Sequence, residues 1–311
     1  MQPILQINIF SSAMSRIKFC MHSISQLFKI KETNKEKIIL AIFTNKMLEK
    51  SWKTFISNSP IGFVLYVGEG DDYMERTHVA MNSKCEYSCR FDDDEFISYP
   101  LWDYMIDNIP ILNDPTIAFL SPTFNCGIPS TDFFVNDALT SEEQSHLSTI
   151  FIRDGVPQSP WYSVDYSEIQ RVISNMKVWD AHSYYENLNS YSGPCKGVHP
   201  IRFSYDANMF ICKKTIECFN KFTEKNEYYT SKLSNIHNTH PFMFKTSTWK
   251  TALNTMYDRF DELSLNMYAF QNKLSTYIVR NGFAIHLGYG SITNISEIVN
   301  LYYARILNET I

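Results

Sequence analysis

The sequence is short of the features that announce several common activities. It contains no G-x-x-x-x-G-K-[ST] loop, no G-x-S-x-G elbow and no G-x-G-x-x-G fingerprint, which leaves P-loop nucleotidases, α/β-hydrolases and dinucleotide-binding dehydrogenases without support. Basic residues form no stripe. The net charge is −5, with acidic and basic residues interspersed, whereas a dedicated DNA binder carries a basic face or a high pI. Nucleic acid is therefore not the expected partner. No apolar run approaches the roughly 20 residues of a membrane-spanning helix, and no repeat at a period of about 20–50 residues is visible. The seven cysteines have no regular spacing. Cys85 and Cys89, the tightest pair, would lie two pleats apart on one face of a strand, which suits neither a disulfide nor a zinc knuckle. Reduced thiols in a reducing compartment, the cytoplasm, are expected.

What is present is a chain of 311 residues, 44% apolar and 15% aromatic, enough for one large α/β domain. The opening stretch, MQPILQINIFSSAMSRIKFCMHSISQLFKI, holds no acidic residue before Glu32. Its basic residues sit within and after the apolar positions, unlike those of a secretory signal. Residues 1–35 read as an N-terminal extension, a loosely docked amphipathic segment; peripheral contact with the inner membrane surface is the alternative.

Regular structure is expected from Ile38 onward. Ile38-Ile39-Leu40-Ala41-Ile42-Phe43 fits a strand buried on both faces and ends in Thr44-Asn45. Leu48, Trp52, Phe55 and Ile56 follow at helical spacing, and Gly62–Val67 gives a second strand that opens into Gly68-Glu69-Gly70-Asp71-Asp72. That order is a βαβ unit. A helical stretch over Tyr73–Asn82 leads to a third strand, Cys85–Phe91. Pro100 suits the start of a helix carrying Leu101, Met105 and Ile109 and stopped by Pro110, and Thr116–Leu120 reads as a further strand. Residues 124–200, rich in Ser, Pro, Tyr and Trp, read as an insertion with helices near Glu142 and over Ser167–Met176. Ala207-Asn208-Met209-Phe210-Ile211 reads as a strand. Asp261-Glu262 suits a helix N-terminus, and Leu263, Met267, Phe270 and Leu274 continue that helix on one face. Thr276–Val279 and Phe283–His286 form a strand pair or one strand broken at Asn281-Gly282. A helix is expected from Ser296.

The feature that points to chemistry is Phe91-Asp92-Asp93-Asp94-Glu95-Phe96, at the carboxyl end of the third strand. Adjacent carboxylates repel one another and are costly to gather unless they are solvated or neutralised by a cation. Mg²⁺ and Mn²⁺ take one or two carboxylates together with substrate phosphate, and the carboxyl ends of strands in open α/β sheets are where ligands bind. A solvated acidic turn is the plain alternative. The lack of a glycine loop for phosphate agrees with a site where a metal ion and acidic residues handle a diphosphate.

On these residues, Ile38–Thr123 resembles the nucleotide-binding half of a GT-A glycosyltransferase of the family-2-like kind, with Tyr87–Asp94 in the place of the strand that delivers a D-x-D motif. The resemblance implies an α/β, Rossmann-like fold with a mixed, mostly parallel central sheet flanked by helices, in a single large domain with an insertion. On this division residues 36–123 are the nucleotide-sugar-binding half, 124–200 the insertion and 201–311 the acceptor and catalytic half. It further implies that Asp92 and Asp94 are the D-x-D pair, touching the metal and the donor's ribose and diphosphate, with Asp93 and Thr44 also binding the donor and Glu69 and Asp71 near the nucleoside. Arg202–Phe222 is similar to the family's acceptor-side strand. Asp258–Leu263 resembles the segment that supplies the catalytic base, with Asp261 and Glu262 both open as that base and Asp261 preferred. His286 corresponds to a histidine that completes the metal shell, although a lone histidine after an apolar strand is as readily structural.

The implied activity is a metal-dependent, inverting transfer from a nucleotide-sugar to a glycan, a lipid-linked glycan or another hydroxyl acceptor, with Mn²⁺ or Mg²⁺ as cofactor. A catalytically silent GT-A-shaped binding protein and a nucleotidyltransferase are the alternatives, and a viral enzyme that glycosylates DNA bases is a remoter variant.

Overall fold

A computed structural model of the chain describes residues 2–68, 77, 79–125, 130–154, 204–223, 227–234, 242–256, 261–287 and 295–308. Its strands are β1 (Leu5–Phe10), β2 (Ile38–Asn45), β3 (Gly62–Gly68), β4 (Tyr87–Asp92), β5 (Glu95–Phe96), β6 (Ile117–Phe124), β7 (Tyr229–Ser234), β8 (Phe242–Lys245) and β9 (Ser275–His286). Its main helices are α1 (Ile17–Leu27), α2 (Glu49–Ile56), α3 (Tyr99–Asn108), α4 (Ser130–Ala138), α5 (Ser141–Asp154), α6 (Tyr205–Glu217), α7 (Thr246–Met256), α8 (Asp261–Gln271) and α9 (Ile295–Tyr302).

The strands form one sheet in the order β3-β2-β1-β4-β8-β6-β9-β5, with β7 paired to β9. β1, β2, β3 and β4 pair in parallel. β8 is antiparallel to both β4 and β6, and β9 is parallel to β6, so β6 and β9 run with β4. This is the mixed, mostly parallel α/β sheet that the sequence leads one to expect.

Alternation along the strands sorts the core into two layers. Leu5, Ile7 and Ile9, with Ile38, Leu40, Ile42, Tyr87, Cys89 and Phe91, pack against Cys20, Ile24 and Leu27 of α1, Trp52 of α2, and Leu101, Trp102 and Met105 of α3. Phe10, Ala41 and Phe43, with Phe119, Phe242 and Phe244, join Trp249 and Ala252 of α7 and Leu265 and Ala269 of α8. No helix among the described residues is long and apolar enough to cross a membrane.

Residues 1–35 do not form an extension. β1 lies between β2 and β4, and Leu5, Ile7 and Ile9 are 0% exposed. The domain therefore starts before residue 36. The apolar face of α1 is likewise spent inside, with Ile17, Phe19, Cys20, Ile24 and Leu27 buried, so it is not left for a membrane surface. The reason lies in Gln6 and Asn8, which give LQINIF the look of a peripheral segment. Their polar atoms are bonded within the sheet, Gln6 Nε2 to Asn8 Oδ1 at 2.7 Å and Asn8 Nδ2 to Cys89 O at 3.1 Å.

Ala207–Ile211, expected as a strand, belongs to helix α6. The Ser204 hydroxyl caps that helix by accepting the Ala207 N–H, and Ala207, Ile211, Cys212 and Ile216 bury one face at helical spacing. A short apolar run does not by itself distinguish strand from helix. The strand expected over Thr116–Leu120 is β6, which continues to Phe124 with a register shift between Pro122 and Thr123 against β9. β9 is one strand through Asn281 and Gly282. Asn281 takes a left-handed φ of 66°, and a Cβ on Gly282 would meet the Tyr228 ring at 2.6 Å. The expected helices near Glu142 and after Ser296 are α5 and α9. Ser167–Met176 lies outside the described residues, as do Glu69 and Asp71. Cys20, Cys85, Cys89, Cys212 and Cys218 are free thiols.

Candidate functional site

From β1 the chain proceeds to β2 and β3 on one side, then returns to β4 on the other side of β1. Such a reversal opens a crevice at the carboxyl ends of the two strands that flank it, the usual ligand position in an open α/β sheet. Phe10 and Asp92 are register partners, so the turn Ser11–Ala13 and the acidic turn Asp92–Asp94 lie side by side at that crevice.

The β1 turn is fixed from several directions. Ser11 N–H donates to Phe43 O at 2.9 Å, Trp52 Nε1 to Ser11 Oγ at 3.3 Å, and Asn45 Nδ2 to Ser12 O at 3.1 Å. The N–H groups of Ser12 and Ala13 both donate to Asp93 Oδ2 at 3.1 Å. Arg16, in the short helical turn that follows, places Nε 3.0 Å from Asp93 Oδ1 and donates Nη1 to Asp94 Oδ2 at 2.7 Å. Arg16 belongs to no motif in the sequence. Its signal is that of a cation just past the end of a first strand, and that signal vanishes when residues 1–35 are taken for an extension.

Burial pushes the Asp93 carboxyl up to about 6, against the pull of Arg16 and with the repulsion of Asp94 and Asp92. Glu95 is turned fully inward. Burial raises its carboxyl well above the ordinary range, Asp92 adds to this, and the Asp92 N–H donated to its Oε2 at 2.8 Å opposes it. Within the cluster Asp93 and Glu95 brace the turn, Asp94 is buried between Arg16 and His286, and Asp92 is the more exposed carboxylate.

β9 delivers His286 to this place. Glu95 and His286 are register partners, and Leu287 N–H donates to Asp94 O at 2.9 Å. His286 Nε2 lies 3.7 Å from Asp94 Oδ1. Asn125, just past β6, brackets the His286 backbone by accepting its N–H at 2.8 Å and donating to its carbonyl at 3.0 Å. Asn125, like Arg16, belongs to no motif.

On the other side of the turn, Arg90 Nη2 lies 3.4 Å from Asp92 Oδ1 and Nη1 lies 4.0 Å from Glu262 Oε2. The Arg90 guanidinium sits over the Phe10 ring at 5.4 Å. Glu262, in the first turn of α8, is thereby linked to Asp92. The Asp261 side chain lies outside the described residues. Thr44, the residue before the end of β2, is fully buried, on the opposite face of the sheet from the stacked row Phe10, Phe43 and Tyr66.

The donor chemistry here suits Mg²⁺ or Mn²⁺ as a partial shell: two carboxylates, Asp92 and Asp94, and one imidazole beside Asp94. As the side chains stand, no three His, Cys, Asp or Glu residues among the described ones are gathered as a metal site. Both ions commonly keep water and substrate phosphate as their remaining ligands, so one or two protein ligands suffice in this setting.

No family model and no curated protein matches the chain. Among solved structures, it is similar to S. aureus TarS 1-349 at 12% identity and a TM-score of 0.43, over 99% of this chain and 66% of that one. The same fragment in complex with UDP-GlcNAc matches at 12% identity and a TM-score of 0.43, over 99% of this chain and 67% of that one. A cytidylyltransferase from Leptospira borgpetersenii matches at 13% identity and a TM-score of 0.29, over 49% of this chain and 72% of that one. The chain thus spans about two thirds of the TarS fragment.

Proposed function

We propose that this chain is a glycosyltransferase that moves a sugar from a nucleotide-sugar donor to the hydroxyl of a glycan or lipid-linked glycan, with the donor's diphosphate in the crevice between β1 and β4. The observation that supports this reading is the convergence, at the carboxyl end of β4, of groups remote in sequence. Asp94 meets His286 of β9, and Asp92 meets Glu262 of α8 through Arg90. Carboxylates at a switch-point crevice suit a metal-bound diphosphate.

Asp92 and Asp94, with His286, are the residues that would hold Mn²⁺ or Mg²⁺. When bound, such an ion neutralises charge on the departing nucleoside diphosphate. Glu262, whose carboxylate lies 4.0 Å from Arg90 Nη1, and Asp261 beside it are the two candidates for the base, and Glu262 is the one tested first. A carboxylate in the first turn of a helix stays ionised and can accept the proton of the acceptor hydroxyl. The acceptor oxygen then forms its bond to the anomeric carbon as the bond to the diphosphate breaks, with inversion. The test is a thermal-shift series of nucleotide-sugars with and without Mn²⁺, because a ligand bound to the native state alone raises its stability. Stabilisation by one nucleotide-sugar that requires Mn²⁺ is expected. Stabilisation by nucleoside triphosphates and by no sugar nucleotide would favour nucleotidyl transfer instead.

A further inference from the structure

We infer that Arg16 is a phosphate-binding residue of the crevice and that Asp93 is the residue that positions it, so that the Arg16 guanidinium engages pyrophosphate independently of any metal ion. The inference rests on the reading of the crevice as a diphosphate site, and it reassigns Asp93 from donor contact to support.

The guanidinium is a planar fork with five N–H donors in fixed directions. Two nitrogens of the Arg16 fork are committed, Nε at 3.0 Å from Asp93 Oδ1 and Nη1 bonded to Asp94 Oδ2 at 2.7 Å, and they lie on either side of Nη2. Nη2 makes no hydrogen bond among the described residues, and Arg16 has no further hydrogen-bond or ion-pair partner there. The Arg16 side chain is 25% exposed and that of Asp93 is 5% exposed, so the cation is the outer member of the pair.

Asp93 has no oxygen to spare for a ligand. Its Oδ2 takes the Ser12 and Ala13 amides and its Oδ1 faces Arg16. It ties the β1 turn to the β4 turn and sets the plane of the guanidinium. A fork held at Nε and Nη1 keeps Nη2 oriented at little cost in side-chain entropy, and the two N–H groups of Nη2 can donate to phosphate oxygens. Its place in the turn after β1, at the switch point, puts Nη2 where a ligand of this sheet binds.

The experiment is calorimetric titration of the full chain with inorganic pyrophosphate, in EDTA and again in Mg²⁺, with thermal unfolding of each variant as a check on the fold. Wild type is expected to bind in both conditions. Arg16→Gln should bind about tenfold more weakly or worse in both, on the scale of a lost charge-assisted hydrogen bond. Arg16→Lys, which keeps the charge and the ion pair but loses the fork, should weaken binding by about threefold or more. Asp93→Asn should weaken it too, and the Arg16→Gln, Asp93→Asn double variant should bind no more weakly than Arg16→Gln alone. Wild-type affinity in Arg16→Gln or Arg16→Lys, or no binding by wild type in EDTA, overturns the assignment. Sugar-nucleotide turnover is read separately. Turnover by wild type with pyrophosphate binding indifferent to Arg16 sinks this inference and leaves the glycosyltransferase reading standing. Arg16-dependent pyrophosphate binding without turnover of any sugar nucleotide does the reverse.

Discussion

His286 Nε2, at the end of β9, lies 3.7 Å from Asp94 Oδ1, in the turn after β4. The contact is set by backbone, since Leu287 N–H bonds Asp94 O and Asn125 holds both the N–H and the carbonyl of His286.

If Asp94 and His286 share one cation, their removal should act on the same quantity. His286→Ala is expected to raise the Mn²⁺ concentration for half-maximal turnover by about tenfold or more, in the range found when groups around a bound metal are lost. A Mn²⁺ titration of transfer checks this. An unchanged midpoint assigns His286 to structure.

Glu262 is expected to matter for the chemical step. Glu262→Gln should lower kcat by about 10²–10⁴-fold with donor binding retained, the usual contribution of a positioned base. Asp261→Asn, assayed beside it, should have a smaller effect. The reverse order moves the base to Asp261, and full activity in both removes the assignment.

The state of Asp93 makes a prediction for stability. Its carboxyl sits at about 6 in the folded chain against an ordinary value of 3.8, so between those values the folded state binds more protons than the unfolded one. Stability from this group is therefore full below about pH 4 and is lost as pH rises through 6. The gap is worth roughly 3 kcal/mol. Glu95, also raised by burial, acts in the same direction, whereas His22, lowered by burial and by Lys29, acts oppositely. The difference between wild type and Asp93→Asn in urea unfolding, followed from pH 4 to 7, isolates Asp93. A flat difference curve contradicts this assignment.

The N-terminal strand should behave as core. Ile7 is fully buried in the middle of β1, and Ile7→Ala should cost about 2–5 kcal/mol through lost transfer energy and the cavity left behind. Denaturant unfolding measures it. A cost near zero would restore β1 to the status of an appendage.

Much of this organisation is legible in the sequence wherever periodicity and composition agree. The runs Ile38–Phe43 and Gly62–Val67 and the acidic turn after Phe91 declare β2, β3 and the end of β4. The Asp261-Glu262 start declares α8. β1 is not legible, because Gln6 and Asn8 look like solvent-facing residues and their partners, one another and Cys89 O, come together only in the folded sheet. With β1 goes Arg16, whose meaning depends on its position just beyond that strand. β8 escapes because it spans only Phe242–Lys245 and pairs with strands distant in sequence. Asn125 gives no local signal at all, since its role is to hold the backbone of a residue on another strand.

The most direct measurement is donor hydrolysis and transfer by Asp92→Asn and Asp94→Asn in the presence of Mn²⁺, with thermal unfolding recorded for each. Turnover should fall by about 10²-fold or more in both variants, the scale of removing one preorganised electrostatic group, while each still unfolds as a folded domain. Wild-type turnover in either folded variant would contradict the assignment of the turn after β4 as the grip on the donor.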